Sequence, residues 1–198
     1  MDYITAFESY RPINEQEEVE QQAILDFIYR NQDALFRTNL VAHVTASAII
    51  TNEAMDRMLF VYHNIYNSWS WVGGHNDGDP DLLAVAIREA KEETGLKRVE
   101  PYSQELFMVD QIYVENHVKR GKFVPDHLHL NGTYLLIADE RDALAIKDDE
   151  NSGVRWFDIE SILDHVSEPR MLPIYKRAIR RIERIRRNRD DRTVGDAS

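Results

Sequence analysis

The feature that most constrains this chain is a glycine-rich loop running straight into a helix. The loop reads Gly73-Gly74-His75-Asn76-Asp77-Gly78-Asp79-Pro80, and the helical run ends Arg88-Glu89-Ala90-Lys91-Glu92-Glu93-Thr94-Gly95-Leu96. Asp79 suits an N-cap, Pro80 the first helical position and Gly95 the position after the last turn, so the sequence predicts a helix over 80–94. Leu83, Ala86, Ile87 and Ala90 give that helix an apolar face able to pack on a sheet. Glu89, Glu92 and Glu93 stand at i, i+3 and i+4, and at about 100° per residue they share one narrow stripe. Like charges so placed destabilise a bare helix by about 0.2–0.5 kcal/mol per pair. The stripe therefore calls for a compensating cation. Carboxylate-rich, oxygen-only ligation suits Mg²⁺ or Mn²⁺. Arg88 lies beside the stripe and can brace one glutamate. The glycines let the backbone turn tightly and bring carbonyls close to the ion.

The rest of the chain supplies a sheet and helices around this unit. Val19, Ala23, Ile24, Phe27 and Ile28 recur at helical spacing and predict a helix over 14–36. β-branched and alternating segments predict strands over 41–50 and 58–65, joined as a hairpin. Further strand-like runs cover 106–114, 127–138 and 155–157, with a polar loop over 115–126. Helices are expected over 159–164 and 173–187. Mixed strands with segregated helices point to an α/β or α+β sandwich. The expected organisation is an N-terminal helical extension over 1–38, a main domain over 39–187 and a disordered tail over 188–198.

Composition narrows the classes. The 198 residues contain no cysteine, which excludes disulfides, thiolate metal sites and a cysteine nucleophile. The formal net charge of −11 argues against bulk binding to nucleic acid or acidic membrane, so an anionic substrate needs cations in between. The acidic N-terminus does not read as a signal or transit peptide, and no apolar run reaches the ~20 residues of a membrane span. A cytoplasmic protein is the expectation.

The loop-helix unit resembles the Nudix box, whose usual form is Gly, five residues, Glu, seven residues, Arg-Glu-hydrophobic-any-Glu-Glu-any-Gly-hydrophobic. Counted from Gly74, the match holds at Arg88, Glu89, Glu92, Glu93, Gly95 and Leu96, with Ala90 as the small hydrophobic. At the first Glu position this chain has Pro80, and Asp79 before it is the stand-in. The resemblance implies an α/β/α sandwich with a mixed sheet, carrying here an N-terminal helical extension and a basic C-terminal helix. It implies a hydrolase that cuts a pyrophosphate bond in a nucleoside diphosphate linked to another moiety, using Mg²⁺ or Mn²⁺. It assigns metal binding to Glu89, Glu92, Glu93 and the Gly74 carbonyl, and gives Arg88 the task of orienting a glutamate. Water activated by the ions is the implied nucleophile. Glu89 or Glu92 is a candidate base, and Asp149 and Glu150 are candidates for that role or for an extra ligand. A non-catalytic nucleotide-binding Nudix domain is the alternative; retention of all three glutamates favours the enzyme. An isopentenyl-diphosphate isomerase-like activity draws on a cysteine this chain lacks.

Several residues admit a structural or a functional reading. His75, in the box loop, is a candidate phosphate or water contact and otherwise a loop hydrogen-bonder. His127 and His129 are two apart on a strand, so they share a face and read first as a hydrogen-bonded pair, with metal binding as the alternative. His43 is expected to pack within its strand. Trp69, Trp71 and Tyr134 are core aromatics or base-stacking platforms, with Trp71 kept as a substrate-contact candidate. Lys176, Arg177, Arg180, Arg181 and Arg184 form a basic helical face, read as solvated. The expected partner is a small nucleotide-like molecule. The N-terminal helix reads first as a packing extension, with a substrate lid or a homodimer contact as the minority reading.

Overall fold

The computed structural model describes residues 1–119 and 121–195. In chain order the elements are α1 (Tyr3–Ser9), α2 (Glu15–Arg30), β1 (Ala42–Thr51), β2 (Arg57–His63), β3 (Ser68–Ser70), β4 (Val72–His75), α3 (Leu82–Thr94), β5 (Glu100–Pro101), β6 (Met108–Val114), β7 (His117–Lys119), β8 (Lys122–Val124), β9 (His127–Ile137), β10 (Asn151–Asp158), a 3-10 turn (Ile162–His165) and α4 (Leu172–Gly195). Contacts divide them into two compact units. One is Met1–Ile49 with Val72–Ala90 and Pro101–Leu136; the other is Ile50–Trp71 with Lys91–Glu100 and Ile137–Ser198.

In the first unit β1 has β4 and β9 as neighbours, and β9 also pairs with β6. β4 runs antiparallel to β1, with Thr45 opposite His75 and Ser47 opposite Gly73. β6 runs antiparallel to β9, with Asp110 opposite Asn131 and Ile112 opposite His129. Leu128 N–H donates to the Val41 carbonyl, and Ala138 N–H to the Thr51 carbonyl. That constant offset makes β1 and β9 parallel, so the sheet is mixed. All ten residues of β1 are buried, unlike a strand with one wet face. Along it His43, Thr45 and Ser47 alternate with Val44 and Ala46, giving a buried polar face. There the Thr45 and Ser47 hydroxyls both donate to Asn131 Oδ1, at 3.0 and 2.8 Å.

The N-terminal region is two helices where the sequence reading had one. Asp2 caps α1 through Thr5 N–H, and Asn14 caps α2 through Glu17 N–H. α2 buries Glu17, Ile24 and Ile28, whereas Val19, expected inside, is 61% exposed. The register shifts because Glu17 turns inward to accept from Tyr10 O–H at 2.7 Å and Ile13 N–H at 3.0 Å. The segment after α2 meets the box loop. Gly78 N–H donates to the Leu35 carbonyl, the Phe36 ring lies where a Gly78 side chain would stand, and Arg37 grips Asp77.

In the second unit β2 pairs antiparallel with the end of β1, with β3 and with β10. Asn52 closes the β1–β2 turn by accepting Asp56 and Arg57 N–H on its side-chain oxygen, both at 3.1 Å. Tyr175, Ala178 and Ile182 face inward from α4, at the spacing of an amphipathic helix. Helix α4 continues past Arg187 to Gly195, over most of the segment expected to be a tail; residues 196–198 of that segment lie outside the described residues. The polar stretch over 115–126, expected as a loop, folds into the β7–β8 hairpin.

Candidate active site

Helix α3 begins two residues later than expected. Asp81, not Asp79, caps it by accepting Ala84 N–H at 3.1 Å. Asp79 stands just outside the helix, where it accepts Asp81 N–H and an Arg88 N–H at 3.2 Å. Leu82, Val85, Ala86 and Ala90 are fully buried, so the apolar face is rotated slightly from the expected one. Gly132 on β9 leaves the room that Leu82 and Leu106 fill. At the C-terminal end Gly95 has φ +74°, and a side chain there would meet Ala145 at 2.7 Å.

The three glutamates of the stripe have different surroundings. Glu93 is 2% exposed, Glu89 is half-buried, and Glu92 is exposed. Glu93 brings a carboxylate oxygen within 4.8 Å of one from Glu89, a turn earlier on the same helix, and within the same distance of one from Glu150. Glu92 instead pairs with Lys147 at 3.0 Å, and Lys147 also holds Glu150 at 3.1 Å. Arg88 lies 3.6 Å from Glu89 while it grips Asp79. The chain's own cations, Arg88 as the sequence suggested and Lys147 in addition, thus answer part of the repulsion for which the sequence reading called for a metal ion. Burial works against the charge on Lys147, but the hydrogen bonds to Glu92 and Glu150 outweigh it and raise its pKa above the ordinary range.

Glu150 is positioned by the end of α3. Ala145 N–H donates to the Thr94 carbonyl at 2.8 Å, and the Asn151 amide donates to the Glu93 carbonyl at 2.9 Å. Those bonds satisfy carbonyls that a helix end leaves open. The turn from 147 to 151 closes on itself through Glu150 N–H and Asn151 N–H, both on the Lys147 carbonyl. Lys147 and Asn151 had no signal in the sequence, because their partners are 55 and 58 positions away.

Gly74 sits against Glu89. A side chain at 74 would stand 2.6 Å from the Glu89 carboxyl carbon, so only glycine lets backbone and carboxylate approach this closely. His75, at the end of β4, sits among histidines: its ring centroid is 5.0 Å from those of both His43 and His129. Trp71 is buried, with its ring edge-on to Tyr175, and its backbone N–H donates to the Tyr175 hydroxyl at 3.4 Å. Trp69 packs edge-on against Tyr62 and Phe157, and Tyr134 is 2% exposed. These three aromatics serve as packing. Asp149 is not among the carboxylates gathered at Glu93. A cleft of about 510 Å³ lies elsewhere, lined by Asn52, Arg98, Glu100, Asp139 and Arg141 among others, and includes none of the box glutamates.

The Nudix domain model matches residues 41–180, and the chain belongs to the Nudix family. No curated protein sequence matches it. Among solved structures it is similar to a Nudix-family hydrolase from Clostridium perfringens, at 20% identity and TM-score 0.53, covering 72% of this chain and 97% of that one. It is also similar to a C. elegans Ap4A hydrolase in a binary complex, at 17% identity and TM-score 0.51, covering 72% and 96%. A third is the E. coli dihydroneopterin triphosphate pyrophosphohydrolase, at 14% identity and TM-score 0.50, covering 73% and 95%. At these identities the likeness is one of fold: an α+β architecture with a mixed sheet, as the sequence implied.

Proposed function

We propose that this Nudix protein is a divalent-cation-dependent hydrolase of a phosphoanhydride bond, acting on a nucleoside diphosphate linked to another moiety. The observation that carries the reading is the buried Glu93 carboxylate, with Glu89 and Glu150 oxygens within 4.8 Å of it. An oxygen-only donor set of this kind fits Mg²⁺ or Mn²⁺, and Gly74 leaves backbone room beside Glu89. Glu89, Glu92, Glu93 and the Gly74 carbonyl would hold the ions, with Glu150 as an added ligand. Bound there, the ions supply Lewis acidity toward the phosphate and lower the pKa of water.

The side chains divide the remaining work. Glu93, buried and fixed on a packed helix, sets the position of the negative charge. Arg88 spans Asp79 and Glu89 and keeps Glu89 from swinging to solvent. Glu150, presented on the turn stapled to the end of α3, is the candidate to take a proton from the attacking water, in competition with Glu89. Lys147 pairs with both Glu92 and Glu150 and offsets part of their charge beside Glu93. His75 is the candidate contact for the substrate's phosphates. The similar folds suggest dinucleoside polyphosphates and a pterin triphosphate for the substrate panel, with dNTPs, ADP-ribose, NADH and CoA beside them. Release of phosphate or mononucleotide from at least one, with Mg²⁺ and not with EDTA, is the expected result. No turnover of any substrate by wild-type protein that binds nucleotide would leave the non-catalytic binding domain as the better reading.

A further inference from the structure

Four histidines from three separate stretches of the sequence meet inside the first unit. His43 on β1 lies with its ring 5.0 Å from His75, 4.9 Å from His127 and 5.0 Å from His129, centroid to centroid. His75 and His129 are 5.0 Å apart, and His127 and His129 are 5.1 Å apart. One ring nitrogen each from His43, His75 and His129 falls within a common span of 4.8 Å. The three stand on adjacent strands, β1, β4 and β9, so the backbone holds their spacing.

The hydrogen bonds fix where the protons are. His43 Nδ1 is 2.9 Å from the Asn39 carbonyl, which can only accept, so the ring carries its proton there. That leaves a lone pair on Nε2, which is buried and has no hydrogen-bond partner. His127 Nδ1 donates in the same way to the Pro125 carbonyl at 2.8 Å. Its Nε2 then accepts the Nε2–H of His129 at 3.3 Å. Burial lowers the pKa of His43 and holds that of His129 well below the ordinary range, and the neighbouring histidines push His129 further the same way. A ring whose proton sits on its far nitrogen has a lone pair to give to a cation. A backbone carbonyl on the far nitrogen of a ring is also the usual support of a metal-ligating histidine.

We propose that His43, His75 and His129 form a binding site for a transition metal of the zinc class, with His127 as the outer partner that orients His129. Three imidazoles satisfy three corners of a tetrahedron and leave the fourth for water or an anionic group. The donors are nitrogen only, so the site prefers Zn²⁺, Ni²⁺ or Cu²⁺ over Mg²⁺. It is separate in chemistry from the carboxylates of α3 and does not depend on the reading given to them.

The test is calorimetric titration of chelator-stripped full-length protein with Zn²⁺ in excess Mg²⁺, with Co²⁺ substitution read by its visible absorption. The expected result is one equivalent of Zn²⁺ and a tetrahedral Co²⁺ spectrum. His43→Gln and His129→Gln should each weaken binding by on the order of 100-fold or more, while Glu93→Gln keeps both stoichiometry and spectrum. Circular dichroism checks that each variant folds. If His43→Gln does not, His75→Gln at the half-buried end of β4 decides in its place. Absence of Zn²⁺ uptake, uptake unchanged in folded histidine variants, or uptake lost in Glu93→Gln but kept in them would each overturn the proposal.

Discussion

At the scale of residues, neighbours of the same chemical type behave differently. Glu92 and Glu93 are adjacent, yet one is exposed and paired with Lys147 while the other is buried at the centre of the carboxylates. Glu93→Gln is therefore expected to lower kcat by roughly 100-fold or more, with Glu92→Gln lowering it less, since losing one preorganised charge at a reacting centre costs about that much. Steady-state kinetics on folded variants checks the order; a Glu93→Gln enzyme near wild type would contradict it. Glu168 offers a pH test away from the site. Burial raises its pKa, so the folded state binds its proton more tightly than the unfolded state. Its contribution then falls as pH rises from the ordinary glutamate range through the folded value, and it is unfavourable above that. Glu168→Gln should raise the melting temperature at neutral pH and leave it unchanged near pH 4; the reverse order would refute the assignment. The sequence made the box residues legible because spacing along one helix fixes which side chains share a face. It hid Lys147, Asn151 and the imidazole cluster, since nothing local says which distant side chains a sheet or a turn will bring together.

At the scale of elements, α3 and the turn before β10 form one device. Gly95 takes a left-handed backbone and clears Ala145, so Gly95→Ala should cost about 1–3 kcal/mol in chemical denaturation. Asn151→Ala removes the amide that caps the Glu93 carbonyl and should cost about 1–2 kcal/mol. It should also lower kcat more than it raises KM, because Glu150 loses its support. A purely structural Asn151 would leave the kinetics of the folded variant untouched. Helix ends marked by glycine and strands rich in β-branched residues were readable. The start of α3 was not, because Asp79 and Asp81 are both good caps and only tertiary pairing to Arg88 draws Asp79 away. The β7–β8 hairpin was missed for another reason: its strands are three residues each, below what periodicity can reveal.

At the scale of the whole molecule, the N-terminal segment does more than extend the chain. Leu35, Phe36 and Arg37 brace the loop that carries Asp77 and Gly78, so removal of residues 1–38 should destabilise that loop and reduce activity. Activity retained by a folded truncation would show the brace to be dispensable. The net charge of −11 sets the larger electrostatic problem for the proposed function, because an anionic substrate of the proposed kind would approach a chain whose net charge repels it. Family membership, fold class and the glutamate stripe were all legible in the sequence, since one contiguous loop and helix carry the motif. The central claim is that cations resolve that repulsion at Glu89 and Glu93, and calorimetric titration of Mg²⁺ into the full-length protein tests it most directly. The account predicts uptake by wild type that disappears in the Glu89→Gln, Glu93→Gln double variant; no uptake by wild type with nucleotide present, or equal uptake by the double variant, would contradict it.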